Sequence, residues 1–130
     1  MDNIIEIKNL SKSFGDVKAV QNLSFRVKRG ELFAFLGVNG AGKSTTISIM
    51  CGLLKKDGGS ISLCGEPVGE GRGAAASKLG VVFQSSVLDK ALSVKDNLES
   101  RAALYGITGK SFKNRLLELA KMLDFEPLLG

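Results

Sequence analysis

Gly37-Val38-Asn39-Gly40-Ala41-Gly42-Lys43-Ser44-Thr45 decides how this chain is read. Its spacing, G-x-x-x-x-G-K-S, is that of a loop that wraps a phosphate-bearing ligand at close range. Glycines at 37, 40 and 42 admit backbone conformations closed to other residues and keep Cβ atoms out of the ligand's path. Successive N–H groups can then converge on an anion, and the start of the next helix adds partial positive charge. Lys43 is placed to reach β- and γ-phosphates, and the Ser44 hydroxyl to coordinate Mg²⁺. The competing reading is a glycine-rich turn with a chance Lys-Ser, and the flanks argue against it. Ahead lies Glu31-Leu32-Phe33-Ala34-Phe35-Leu36, a short apolar run that reads as a buried parallel strand. Behind it, residues 44–50 open a helix.

At 130 residues the chain is long enough for one domain with a real core, and its 44% apolar and 24% charged content is ordinary for a globular protein. No apolar run approaches the length of a membrane span, and Met1-Asp2-Asn3 does not open a signal peptide. Cys51 and Cys64 lie in apolar surroundings without metal-ligand spacing, and no His is present to join them. Two reduced, packed thiols in a cytosolic protein are expected. The net charge is +5, but the 18 basic residues are scattered without a run or interleaved aromatics, so no nucleic acid is expected as a partner.

Around the loop, residues 4–10 and 20–27 read as strands of a small antiparallel sheet, with Leu23, Phe25 and Val27 on one face. Residues 60–64 read as another strand of that sheet, 65–73 as loop and 74–78 as one helical turn. Residues 79–84 read as a second core strand ending in Gln84. Ser93 can cap a helix with Leu98, Ala102 and Tyr105 on one face and Gly106 at its end. Phe112, Leu116, Leu119, Ala120 and Leu123 form the apolar stripe of another helix.

With the loop placed, the whole chain resembles the ATP-binding subunit of an ABC transporter. Ile5-Glu6-Ile7-Lys8-Asn9-Leu10-Ser11-Lys12-Ser13-Phe14-Gly15 resembles that family's opening strand and adenine-stacking aromatic. Residues 36–46 resemble its phosphate loop, and Val82-Phe83-Gln84 the strand that ends in its Q-loop glutamine. Residues 92–98 with Leu104-Tyr105-Gly106 resemble the start of its helical subdomain. The wording Gly-Ala-Gly-Lys-Ser-Thr-Thr leans toward bacterial exporters of drugs or polysaccharides. Val38 stands where that subgroup commonly has proline, a change in loop stiffness that removes no ligand.

The resemblance implies an α/β fold of the phosphate-loop type: a parallel core sheet, an antiparallel β edge subdomain and the start of a helical subdomain, incomplete in this chain. Residues 1–92 would hold the ATP-binding core and β subdomain, and 93–130 the helical start. It also implies roles. Phe14 would stack on adenine and Val20 would pack beside the ribose. The backbone of Asn39, Gly40, Ala41, Gly42 and Lys43 would hold the β-phosphate, and Thr45 would reach the α-phosphate. Ser44 and Gln84 would bind Mg²⁺. Lys43 and Gln84 would act in catalysis, the first on charge developing on the transferred phosphoryl group and the second on the metal or attacking water. A core phenylalanine, a backbone-bonding threonine and a polar strand end are the plain alternatives for Phe14, Thr45 and Gln84.

The family's Leu-Ser-Gly-Gly-Gln signature, its second carboxylate motif and its switch histidine do not occur in residues 1–130. The chain is therefore expected to be an N-terminal fragment that binds Mg-ATP without hydrolysing it. The resemblance implies, for the full-length protein, an ATP hydrolase on the inner face of the cell membrane, a second ATPase subunit and a membrane-spanning permease. The alternative is an ABC-type ATPase that acts on ribosomes or DNA without a membrane partner.

Overall fold

Two twelve-residue strands, β1 (Asn3–Phe14) and β2 (Val17–Lys28), run antiparallel and are joined at Gly15-Asp16. A strict two-residue alternation would move Leu10 to the face opposite Ile5 and Ile7. Asn9 prevents this by taking φ +51°, and the ladder slips between Ile7 and Leu10. Asn22, at φ +48°, does the same for β2. Asparagine tolerates this left-handed conformation, and the bulges are fixed by bonds from the Asn9 N–H to Ser24 Oγ (2.8 Å) and the Asn22 N–H to Ser11 Oγ (3.3 Å). Ile7, Leu10, Val20 and Val27 are consequently all buried.

On the other side of β1 lies β3 (Gly58–Leu63), also antiparallel, with Ile7 opposite Ile61. Gly59 sits at φ +80° where β3 meets the β1 bulge, and a Cβ there would collide with the carbonyl oxygens of Lys8 and Asn9. A short β4 (Glu66–Pro67) pairs with β3, so part of the segment expected as loop is an edge strand, and the sheet order is β2-β1-β3-β4. Helix α1 (Lys43–Met50) lays Ile49 on this sheet, closing a core of Ile7, Leu10, Val20, Ile49 and Ile61. Burying a side chain such as Ile49 stabilises by about 1.5–3 kcal/mol.

A computed structural model describes residues 3–69, 76–83 and 85–129. It forms two units, one up to Gly80 and one from Val81. That boundary lies a dozen residues before the expected start of the helical part at 93. In the first unit residues 31–36 adopt no ladder, although they read as a core strand. They are held instead by a turn and by rings. The Glu31 carboxylate accepts from the Lys28 N–H at 2.7 Å, Phe33 stacks on Phe25 at 4.9 Å, and Phe35 lies 5.5 Å from Phe25. A strand needs a neighbour that offers N–H and C=O groups in register, and none of the described residues provides one. Among the described residues of this unit the sheet that forms is the antiparallel one, the expected edge subdomain. In the second unit residues 81–83 likewise form no strand. Ala76–Lys78 make a single 3₁₀ turn.

The second unit contains α2 (Val94–Ala103), α3 (Gly109–Met122) and a 3₁₀ turn, Glu126–Leu129. Ser93 caps α2, its Oγ accepting from the Asp96 N–H at 3.1 Å. Gly106, at φ +75°, follows the end of α2, where the Ile107 N–H returns to the Ala102 carbonyl at 3.0 Å. Phe112, Leu116 and Ala120 are the buried stripe of α3. Leu123 falls just past the helix and is exposed, as is Tyr105, so both leave the apolar faces expected of them. Among the described residues no helix is long and apolar enough to cross a membrane.

Candidate functional site

The glycine loop is fastened at both ends. Gly42 is the N-cap of α1 at φ +81°, and its Cα rests on β2, where a Cβ would strike the Ala19 carbonyl oxygen and approach Val20 Cγ2 at 3.0 Å. The Gly42 carbonyl accepts twice, from the Thr46 N–H at 2.8 Å and from the Thr46 hydroxyl at 2.9 Å. Thr46 is fully buried, so the backbone-bonding threonine is Thr46 and not Thr45. At the other end the Lys43 ammonium donates to the carbonyls of Gly37 and Val38, the latter at 2.7 Å, and the Ala41 N–H closes a turn onto Val38 at 3.1 Å.

Beside this loop lies a cavity of about 350 Å³. Phe14, Val17, Lys18 and Ala19 of the β1–β2 hairpin line one side, and Asn39, Gly40, Gly42, Lys43, Ser44 and Thr45 the other. Sequence-expected residues from two separated stretches therefore meet around one space. Ala41 stands in the loop but not on the lining. Val20, expected beside a ribose, is 6% exposed and belongs to the core beneath Gly42; Val17, two ladder positions nearer the hairpin end, takes the cavity wall. Gln84 lies outside the described residues. Lys18 was not singled out from sequence. Its only signal is its place two residues after the Gly15-Asp16 turn, which sets it opposite Ser13 in the ladder.

The donor set suits an anion. Helix α1 has no side-chain cap and no acidic residue in its first turn, and its first intrahelical bond comes from the Thr46 N–H. The N–H groups of Lys43, Ser44 and Thr45 therefore precede the helical ladder and are available to an acceptor from outside it. Among the described residues, two ammonium groups, Lys18 and Lys43, line the cavity and no carboxylate does. Phe14 is 49% exposed at the rim. For Mg²⁺, the Ser44 hydroxyl is a protein oxygen available at the helix start. No cluster of three or more His, Cys, Asp or Glu is found among the described residues. This fits an ion that takes few protein ligands and holds water and phosphate oxygens instead.

A glycine loop that brings an uncapped helix start, an ammonium and a hydroxyl to one cavity, with an aromatic ring at the rim, is the construction of a phosphate-loop nucleotide-binding protein. The ABC transporter family model matches residues 20–129, and the chain belongs to that family as part of an ATP-binding domain. It is 39% identical over 127 residues to the probable multidrug ABC transporter ATP-binding protein YbhF of Escherichia coli, covering 98% of this chain and 22% of that one. It is 41% identical over 121 residues to the Nod factor export ATP-binding protein I of Burkholderia orbicola, covering 91% of this chain and 40% of that one. A solved ATP-binding subunit of an ABC transporter superposes with a TM-score of 0.85 at 31% identity, covering 97% of this chain and 52% of that one. The cbiO1 protein of Clostridium perfringens, part of the ABC transporter complex cbiONQ, superposes with a TM-score of 0.78 at 29% identity, covering 98% and 53%. The chain thus spans well under half of these curated relatives and about half of these structures.

Proposed function

We propose that this chain carries the nucleotide-binding half of an ATPase subunit that drives export through a membrane-spanning permease. The observation that carries this is the cavity in which Phe14 faces the start of α1 and Lys43. In this reading Phe14 stacks on the adenine and Val17 closes the wall beside it. The N–H groups of Lys43, Ser44 and Thr45 donate to phosphate oxygens, and the Lys43 ammonium turns from the loop carbonyls to the β- and γ-phosphates. Ser44 and Gln84 are the residues that would hold Mg²⁺, which would neutralise negative charge on the phosphates. Export is favoured over action on ribosomes or DNA by relatives whose names are those of drug and Nod factor exporters.

Turnover needs more than this half supplies. Residues 1–130 contain no histidine and no Leu-Ser-Gly-Gly-Gln segment, which in the proposed mechanism closes the site from a second ATPase subunit. Binding without those groups stabilises substrate and transition state alike, giving affinity without rate. Two measurements on the 130-residue chain test the reading. Titration with a fluorescent ATP analogue should show binding that Lys43→Ala removes, and a phosphate-release assay should show no turnover above background. Unchanged affinity in Lys43→Ala would reject the site. Turnover that Lys43→Ala abolishes would reject the account of what a second subunit provides. Co-purification of the full-length protein with a membrane-spanning subunit tests the export assignment.

A further inference from the structure

We infer that Lys12 and Asp57 are positioning residues for Phe14, holding a cation on one face of its ring so that a flat aromatic base is received on the other. This rests on the proposed reading of Phe14 as the base platform. Phe14 is the last residue of β1, beside the Gly15-Asp16 turn, and its ring is half-exposed. Something must hold it. The Lys12 ammonium lies 5.4 Å from the ring centroid, inside the range of cation–π attraction. The ammonium is itself held, 2.7 Å from Asp57 Oδ1. The second carboxylate oxygen of Asp57 accepts from the Ser13 N–H at 2.7 Å, and the Asp57 N–H donates to the Ser11 carbonyl at 3.0 Å. Asp57 thus grips three successive residues of β1 immediately before Phe14.

The arrangement also keeps this charge away from phosphate. Lys18 and Lys43 line the cavity and Lys12 does not, and its side chain is only 13% exposed. Without Asp57, a third ammonium near the site would be drawn toward a polyanion and away from the ring. With it, one face of Phe14 is taken by a cation, and a planar base can stack on the face left open. The contribution is therefore to recognition of the base, not of the phosphates.

The test compares ATP with inorganic tripolyphosphate, which has the charge but no base, by titration calorimetry on the chain and its variants. Lys12→Met should weaken ATP by roughly three- to tenfold and leave tripolyphosphate unchanged. Lys12→Arg, which keeps a cation for both the ring and Asp57, should restore ATP affinity. Asp57→Asn retains an oxygen for the Ser13 N–H but frees the ammonium, and should show the same ATP-selective loss. In the Phe14→Ala background, Lys12→Met should have no further effect on ATP. Equal weakening of both ligands by Lys12→Met, or none of either, overturns the inference. If Phe14→Ala weakens ATP selectively while Lys12→Met does not, the inference fails alone. If Phe14→Ala weakens both ligands equally, the base-platform reading fails with it. Should Asp57→Asn not fold, the Lys12 variants carry the test.

Discussion

The Cα of Gly42 packs against the carbonyl oxygen of Ala19 so closely that no side chain fits between helix α1 and strand β2 at that point. The loop's conformation and its seat on the hairpin are thus the same requirement. Gly42→Ala should destabilise the chain by about 1–3 kcal/mol, from φ strain and the collision together, and should abolish nucleotide binding. Gly40 also has a positive φ, +86°, but nothing lies within 4 Å of a Cβ there. Gly40→Ala should cost only about 1 kcal/mol, from the backbone alone. Urea denaturation of the two variants checks this, and equal losses would show that the Ala19 contact is not tight in solution.

Lys43 does more than face the cavity. It is half-buried and bonded to the Gly37 and Val38 carbonyls, so it also braces the loop. Lys43→Met should therefore lower stability by about 0.5–1.5 kcal/mol as well as removing nucleotide affinity. A variant that loses affinity with wholly unchanged stability would mean that the two carbonyl bonds contribute nothing.

Asn97 of α2 is a buried polar residue, 5% exposed. Its Oδ1 accepts from the Asp89 N–H at 2.8 Å, while Nδ2 faces the carbonyls of Asp89 (2.9 Å), Leu92 (3.3 Å) and Ser93 (3.0 Å). One amide thus ties residues 89–93 to the helix. Asn97→Ala should cost about 1–3 kcal/mol through unpaired backbone groups. Asn97→Asp should cost more, since a carboxylate would face three carbonyl oxygens. Thermal melts and protease cleavage within 85–93 read both effects. Asn97→Asp as stable as the wild type would deny the network its role.

What was legible in the sequence is what is decided locally. Gly42, Ser93 and Gly106 announce a loop, a cap and a stop because each acts on backbone within a few residues. The apolar stripe of α3 follows from helical period. The meeting of Phe14 with the loop was legible only through the family resemblance, since nothing in the spacing brings residue 14 to residue 43. The bulges at Asn9 and Asn22 and the Lys12–Asp57 pair were not legible. Each depends on a partner chosen by the fold, 11 to 45 residues away. Residues 31–36 mark the opposite limit: their apolar pattern states a readiness to pair but cannot name the neighbour.

Asp57 gives a dependence on pH. The hydrogen bond from Lys12, and then that from the Ser13 N–H, hold its carboxyl below the ordinary aspartate value of 3.8. A carboxylate depressed in the folded state adds stability above its unfolded value and loses it as pH falls through the folded one. The contribution is therefore whole at neutral pH and disappears on acidification below 3.8. Glu6, lowered from 4.5 by its bond to Lys8 and by Arg26, acts in the same direction over a neighbouring range. Melting temperatures of the wild type and Asp57→Asn should differ at neutral pH and converge in acid, and the difference should shrink with added salt because the Asp57 carboxylate is half-exposed. Parallel curves down to about pH 3 would show that ionised Asp57 is not engaged with β1.

The last prediction concerns backbone protection. The middle of β1, around Ile5 to Ile7, is bonded to β2 on one side and β3 on the other. Residues 31–36 join no ladder, and Leu32 is 99% and Leu36 86% exposed. Among the described residues, the turn at Glu31 and the Phe33 and Phe35 rings hold that segment to β2, and rings do not shield amides as a ladder does. Amide exchange tracks the free energy of opening, which runs from near zero for unpaired segments up to the global stability for central strands. Residues 32–36 should therefore exchange at least about 100-fold faster than residues 5–7, by mass spectrometry of peptides covering each. Residues 81–83 of the second unit should exchange as fast as 32–36, Val82 being 99% exposed. If 32–36 proved as protected as β1, the segment would be paired in solution, with another copy of the chain as the available source of a strand. A protein concentration series would then separate pairing between copies, which weakens on dilution, from pairing within one chain, which does not.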